Sequence, residues 1–390
     1  MWVLDRTGGV SIVGMGQLPV LKANPSSLKA MGAEAVQLAL ASAGIDRVDA
    51  IFVGNMLADE LQGQKHIATL IAGEAGLRGV EALQVRAATA TGAAALRMAY
   101  FAVASGEART AIALGVEKMS TDREQVVPVL AKALDADLEV AQGATLLNQN
   151  ARLMQLYLDH YQLDINCFNP FAVNAHHNAR HNPNALFQEK VVTAETVATS
   201  PIVSPPLRLY DAAPICDGAA AVVLTRANEA RAFTDMPVRI RSSSVATDWF
   251  RLDQREKPLH LYAAAKSAHD AFRKANVHRN DIDFFEVHDA FSIMACLLLE
   301  AVGYAKAGEG WRMAAEGKIT LAGELPICTM GGLKARGHPI GASAIYQTCE
   351  IVLQLTGRAG PNQLQQAELA LLQSVGGAGS TVLTHIFGVE

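Results

Sequence analysis

Three short segments carry residues whose types and spacing could do chemistry. Near the C-terminus, Gly331-Gly332-Leu333-Lys334-Ala335-Arg336-Gly337-His338-Pro339-Ile340-Gly341-Ala342 sets an imidazole among glycines. Glycine lets backbone approach a ligand closely, and proline stiffens the chain beside His338. His338 therefore reads as an acid or base at a site, against the plainer reading of a turn histidine. A second imidazole, His288, lies in Glu286-Val287-His288-Asp289-Ala290-Phe291-Ser292 and ends an apolar, strand-like run. Its plainer reading is a cap bonded to Asp289. The third segment, Ala88-Thr89-Ala90-Thr91-Gly92, puts a hydroxyl just ahead of a helix of small residues. A threonine hydroxyl does not ionise without strong help. Thr89 can be a slow nucleophile if His338 takes its proton, an orienting group, or a filler in the pocket.

These residues need a frame, and the chain supplies one twice. Met31 to Ala43 reads as an amphipathic helix stopped at Gly44, followed by a polar turn and the strand Val48 to Gly54. Leu261 to Ala275 repeats that order, stopped at Asn276, with the strand Ile282 to His288. Glycine and asparagine are the residues that tolerate a left-handed helix stop. The repeat continues with a helix from Gly92 to Ser105 and a strand from Thr110 to Gly115. Its later counterparts are a helix from Gly341 to Leu355, a strand from Leu369 to Gln373, and a hairpin partner from Ser380 to Ile386. Each half opens on a strand-like stretch, Val10 to Gly14 and Val238 to Val245. Alternation of strand and helix argues for α/β layers, and Ala- and Gly-rich helices suit close packing between sheets. Between the halves Asn, His and Pro accumulate, with irregular helix signals at Ala144 to Leu158 and Asn174 to Asn178, before Asp211 to Arg226 returns to strand texture. The expected division is a first half of residues 1–120 plus 207–235, an inserted loop domain at 121–206, and a second half at 236–390.

Composition narrows the field. Half of the 390 residues are apolar, 18% are charged and the formal net charge is −5, so a large core is available and no basic block invites nucleic acid or an anionic membrane. Five cysteines, Cys167, Cys216, Cys296, Cys328 and Cys349, lack paired spacing. A dispersed, odd set points to reduced thiols and a cytoplasmic setting. The first nine residues lack a charged region followed by an apolar run, so no signal peptide is expected, and no apolar stretch is long enough to span a bilayer. His176, His177 and His181 cluster, with i, i+4 spacing between the last two. No cysteine or carboxylate completes a metal set, so no metal is expected, and polar contact with substrate or partner is the better reading. No phosphate-loop or dinucleotide pattern is present.

The two histidine segments closely resemble the histidine loops of the thiolases, which make and break carbon–carbon bonds next to CoA thioesters. Further points of resemblance are Gly115 to Ser120 (GVEKMS), Cys216 to Leu224 (CDGAAAVVL), Ser374 to Gly379 (SVGGAG) and the stretch from Asn174. Together they span essentially the whole chain and look most like the sterol-carrier-type and archaeal-type branch, with an H-D-x-F segment at His288. The resemblance implies a five-layered α-β-α-β-α fold of two pseudo-equivalent halves with an inserted loop domain, in at least a dimer. It also implies C-acyl transfer of the acetyl-CoA acetyltransferase type, with a CoA thioester as substrate and no bound cofactor. His338 would activate the nucleophile, His288 would help hold the thioester oxygen, and Thr89 occupies the place of the nucleophilic cysteine. Gly337, Gly376 and Gly377 would admit pantetheine, and Cys328 falls near the expected pocket as a substitute thiol.

In this resemblance the usual thiol positions are empty, being Thr89, Ala290 and Ser374. Two alternatives therefore stand beside reduced or altered acyl transfer. One is aldolase- or decarboxylase-type cleavage of a CoA thioester, which needs an oxyanion hole and an acid/base but no acyl-enzyme. The other is a non-catalytic CoA-binding subunit working with a small zinc-ribbon and oligonucleotide-fold partner.

Overall fold

The computed structural model describes residues 9–389, so the N-terminal segment on which the signal-peptide expectation rests lies outside the described residues. The first elements are β1 (Val10–Gln17), α1 (Leu28–Ala43), β2 (Ala50–Gly54), α2 (Ala58–Leu61), α3 (Ile67–Glu74), β3 (Glu81–Val85), α4 (Thr91–Ser105) and β4 (Thr110–Lys118). A long excursion follows, with α5 (Arg123–Ala131), α6 (Leu146–Tyr161), α7 (Asn169–Ala179), α8 (Ala194–Ala198), β5 (Ile202–Ser204) and β6 (Leu207–Arg208). The chain then returns through β7 (Asp217–Arg226), β8 (Val238–Thr247), α9 (Tyr262–Ala275), β9 (Phe284–Glu286), α10 (Ser292–Val302) and α11 (Gly310–Ala315). It closes with α12 (Ser343–Leu355), β10 (Leu369–Gly376) and β11 (Thr381–Val389).

The long strands form one sheet in the order β3-β2-β4-β7-β1-β8-β11-β10-β9. The duplication is visible in it. β2-β4-β7-β1 and β9-β10-β11-β8 have the same order and the same directions: a parallel first pair, then antiparallel neighbours. The halves meet where β1 pairs β8 antiparallel over Val10–Ile12. Helices α1 and α3 cover the outer face of the first half, and α9 and α10 cover the outer face of the second. Helices α4 and α12 pack on each other and on strands of both halves, giving the α-β-α-β-α stacking. Their Ala-rich faces fit this central layer because small side chains let helix and sheet backbones approach closely.

Local chemistry explains several boundaries. Helix α1 starts at Leu28, three residues earlier than its apolar periodicity suggests, because the Ser27 side chain accepts from Ala30 N at 3.3 Å and caps it. It stops at Gly44 (φ 67°), and α9 stops at Asn276 (φ 54°), the two left-handed stops expected from sequence. Strand β3 escaped the sequence reading: Glu-Ala-Leu-Gln-Val has no buried face, lying at the sheet edge with Leu83 half exposed. Strand β9 is shorter than read, so His288 lies beyond the strand and not at its end. None of the described helices is long and apolar enough to cross a membrane.

Candidate active site

Thr89 stands between β3 and α4 on a sharply turned segment. Ala88 holds a positive φ of 48°, which a residue with a Cβ adopts only when its surroundings enforce it. Thr91 supplies the enforcement: its Oγ1 donates to Ala88 O at 2.6 Å and accepts from Ala87 N at 2.9 Å. The turn presents Thr89 just before the first turn of α4. Its own hydroxyl is committed, donating to Val375 O on β10 at 2.6 Å.

His338 sits between a five-residue π-helical turn (Gly332–Arg336) and α12. Its backbone N donates to Cys216 Sγ at 3.1 Å, and its ring Nδ1 lies 2.6 Å from Ser343 Oγ. Ser343 Oγ in turn donates to Pro339 O at 3.1 Å. One hydroxyl proton serves one acceptor, so this pairing places the imidazole proton on Nδ1 and leaves Nε2 as the base. The segment is pinned from beneath by a fully buried pair, Arg336 Nε to Glu350 Oε1 at 3.0 Å.

His288 meets His338 edge to face, with ring centroids 5.4 Å apart at 87°. Burial pushes the His288 imidazole down to about 3, and burial, then His288 and Arg336, hold His338 well below the usual range. Both rings are therefore neutral at physiological pH. His288 Nδ1 has no hydrogen-bond partner among the described residues. Asp289 does not cap it; Asp289 Oδ1 instead accepts from Leu333 N at 2.6 Å and steadies the other histidine's segment.

Thr89, His288, His338, Ala290, Val375 and Gly377 line one cleft of about 490 Å³. Its walls are mostly apolar, with Met119, Leu146, Leu147, Phe291 and Met294 among them, and the exposed residues Lys22 and Lys190 also belong to its lining, the Lys190 ammonium lying over the Phe187 and Tyr210 rings. A cleft with apolar walls and two neutral imidazoles suits proton transfer and stabilisation of an oxyanion.

Not every residue singled out from sequence reaches this cleft. Cys328 does not line it. A Cβ on Gly332 would fall 2.7 Å from its Sγ, so the thiol is packed under the Gly331–Gly332 turn, and burial followed by Asp289 and Glu286 pushes it well above the normal thiol range. Gly337 and Gly376 also lie outside the lining: a Cβ on Gly337 would press on Val20 at 2.6 Å, and one on Gly376 on Ala87 O at 2.6 Å. Their glycines admit protein backbone and side chains. Ser374 is buried in β10 opposite Leu383 and does not line the cleft either. Of the histidine cluster, His176 is buried and lines the cleft, tilted against Phe187 and edge-on to Tyr210 with both centroids at 5.5 Å, while His177 and His181 are exposed.

Sequence reading missed Ser343, which orients His338, and Lys334, which lines the cleft while 2% exposed and donates to Asp211 O at 2.6 Å. A lysine between glycines and an arginine reads as surface. The only available signal was that it shares the histidine's segment.

Known proteins resemble this chain throughout its length. The family model described as "Thiolase, N-terminal domain" matches residues 10–228, and "Thiolase C-terminal domain-like" matches residues 244–389. An acetyl-CoA acetyltransferase of Methanothermobacter thermautotrophicus is 40% identical, covering 97% of this chain and 99% of its own. Sterol carrier protein 2 of Gallus gallus is 29% identical over 96% of this chain and 71% of its own. A solved structure described as an Ltp2-ChsH2(DUF35) aldolase superposes with a TM-score of 0.84 at 22% identity, covering 98% of each chain, a likeness that speaks for the fold.

Proposed function

The chain belongs to the thiolase superfamily, and on that premise we propose that it is an enzyme acting on acyl-CoA thioesters by aldol-type carbon–carbon chemistry, with no acyl group held on residue 89. One observation carries the reading: the Thr89 hydroxyl is spent on the Val375 carbonyl, while two neutral imidazoles share the same cleft. In the cleavage direction the substrate is a 3-hydroxyacyl-CoA. His338 Nε2 takes the 3-hydroxyl proton. The C2–C3 bond breaks, C3 leaves as the carbonyl carbon of an aldehyde or ketone, and the electron pair passes into the thioester as an enolate. His288 donates an N–H to the enolate oxygen, a role a neutral imidazole can fill. The proton on His338 returns to C2, releasing a shorter acyl-CoA.

Acyl transfer is the second reading, favoured by full-length similarity to acetyl-CoA acetyltransferases. It requires Thr89 to leave Val375 and surrender its proton to a base. The rest of the reading concerns setting. The ammonium groups of Lys22 and Lys190 suit the phosphates of CoA, and the exposed edge of β3 suits a second copy of the chain. A zinc-ribbon and oligonucleotide-fold partner fits beside the structural neighbour whose description names a DUF35 component. Five unpaired cysteines fit a cytoplasmic place of work.

The test is product analysis with 3-hydroxyacyl-CoA, and separately with 3-oxoacyl-CoA plus CoA. We expect an aldehyde or ketone from the first, reduced on the order of 10²–10⁴-fold in His338→Ala, and no thiolysis in the second. Thiolysis by the native chain without any aldol product would overturn the reading in favour of acyl transfer.

A further inference from the structure

We propose that Glu117 is a positioning residue, whose carboxylate seats the backbone of the His338 segment on the first half of the molecule and so fixes His338 relative to Thr89. The inference rests on the reading that His338 acts at this site. Glu117 lies on β4, inside the GVEKMS segment, and is fully buried. Its two oxygens accept four hydrogen bonds. Oε1 takes Asn55 Nδ2 at 2.8 Å and Leu57 N at 3.1 Å; Oε2 takes Met56 N at 3.0 Å and Gly341 N at 3.0 Å. Three of these donors belong to the loop after β2. The fourth is three residues beyond His338. No described salt bridge pairs Glu117 with a cation; burial pushes its carboxyl up to about 7, offset chiefly by the backbone N–H groups of Met56, Gly341 and Leu57 and least by the charge of Arg86.

A second feature marks the same residue. Gly341 O lies over three glycines from separate elements. A Cβ would meet it at 3.2 Å from Gly54 on β2 and at 2.8 Å from Gly92 on α4, and would clash outright from Gly115 on β4. Gly92 is in the first turn of the helix that follows Thr89. One residue, Gly341, is thus held through its N–H by Glu117 and received at its carbonyl by three positions without side chains. The His338 and Thr89 segments come from different halves, and this is a place where their backbones touch. Glu117 does not itself line the cleft, so its effect on chemistry passes through the segment that carries His338.

Glu117→Gln keeps the size but turns one acceptor into a donor facing donors. The comparison variant is Asp49→Asn, which loses a carboxylate at the other end of β4, where Asp49 Oδ2 accepts Arg109 N at 2.8 Å and Thr110 N at 3.0 Å. The readout is the ring ¹⁵N shifts of His338 in histidine-labelled protein, assigned by their loss in His338→Gln. It needs no substrate, so it stands or falls apart from the proposed reaction. We expect Glu117→Gln to move the His338 ring shifts and Asp49→Asn to leave them in place at a comparable loss of thermal stability. With any substrate that turns over, Glu117→Gln should lower kcat by tenfold or more at little-changed KM. Should Glu117→Gln not fold, Asn55→Ala removes one of the four donors and should move the same signals by less. Unmoved His338 signals in whichever of these two variants folds would reduce Glu117 to a structural carboxylate and overturn the proposal.

Discussion

Thr89 decides what kind of chemistry the cleft can do. Its proton rests on a carbonyl, and the two imidazoles beside it are neutral because burial disfavours their charged forms. A residue that only shapes the cleft tolerates loss of its hydroxyl. Thr89→Ala should therefore keep aldol-type turnover within a few-fold of native, whereas a nucleophile's removal costs orders of magnitude. Side-by-side kcat/KM values check this, and a loss of a thousandfold would restore Thr89 as a nucleophile. At this scale the sequence was informative where residue type alone limits chemistry, as at Thr89, Ala290, His288 and His338. It was uninformative where burial decides. Lys334 and Arg336 sit in a run that reads as solvent-facing, yet both are buried against partners over a hundred residues away or on the next helix.

At the scale of elements, the helix stops at Gly44 and Asn276 and the repeated helix–strand order were legible because they are local: a left-handed stop and a 3.6-residue period leave marks within a few residues. Strand β3 left none, since an edge strand has no obligatory buried face. The strained turn at Ala88 was equally invisible, because it depends on Thr91 folding back onto it. The segment carrying His338 is held by a side chain on α12. Glu350→Ala would leave the Arg336 guanidinium buried without its carboxylate. A broken buried pair costs about 3–5 kcal/mol, so the urea midpoint of this variant should fall clearly. A midpoint unchanged from native would mean that the pair does not hold the segment.

The whole molecule carries several titratable groups in its core, and they set its response to acid. His385 on β11 is fully buried, and burial, then Arg97, push it down to about 3. Unfolded, it titrates near 6.5. Between these values the unfolded chain binds a proton that the folded chain does not, so stability is lost as pH falls from about 6.5 toward 3, by up to ~1.4 kcal/mol per pH unit for this group. His385→Leu removes that contribution. Its stability relative to native should rise steadily from pH 7 to pH 5 in urea unfolding, and a pH-independent difference would refute the assignment. The cleft belongs to this scale too, because its walls come from both halves and from the excursion between β4 and β7. The most direct test of the central claim is intact-protein mass spectrometry on acid-quenched turnover mixtures, for both the hydroxyacyl and the oxoacyl thioester. The account predicts aldehyde or ketone release with the protein mass unchanged at every time point. An acyl adduct that maps to Thr89 and forms at the rate of turnover would contradict it.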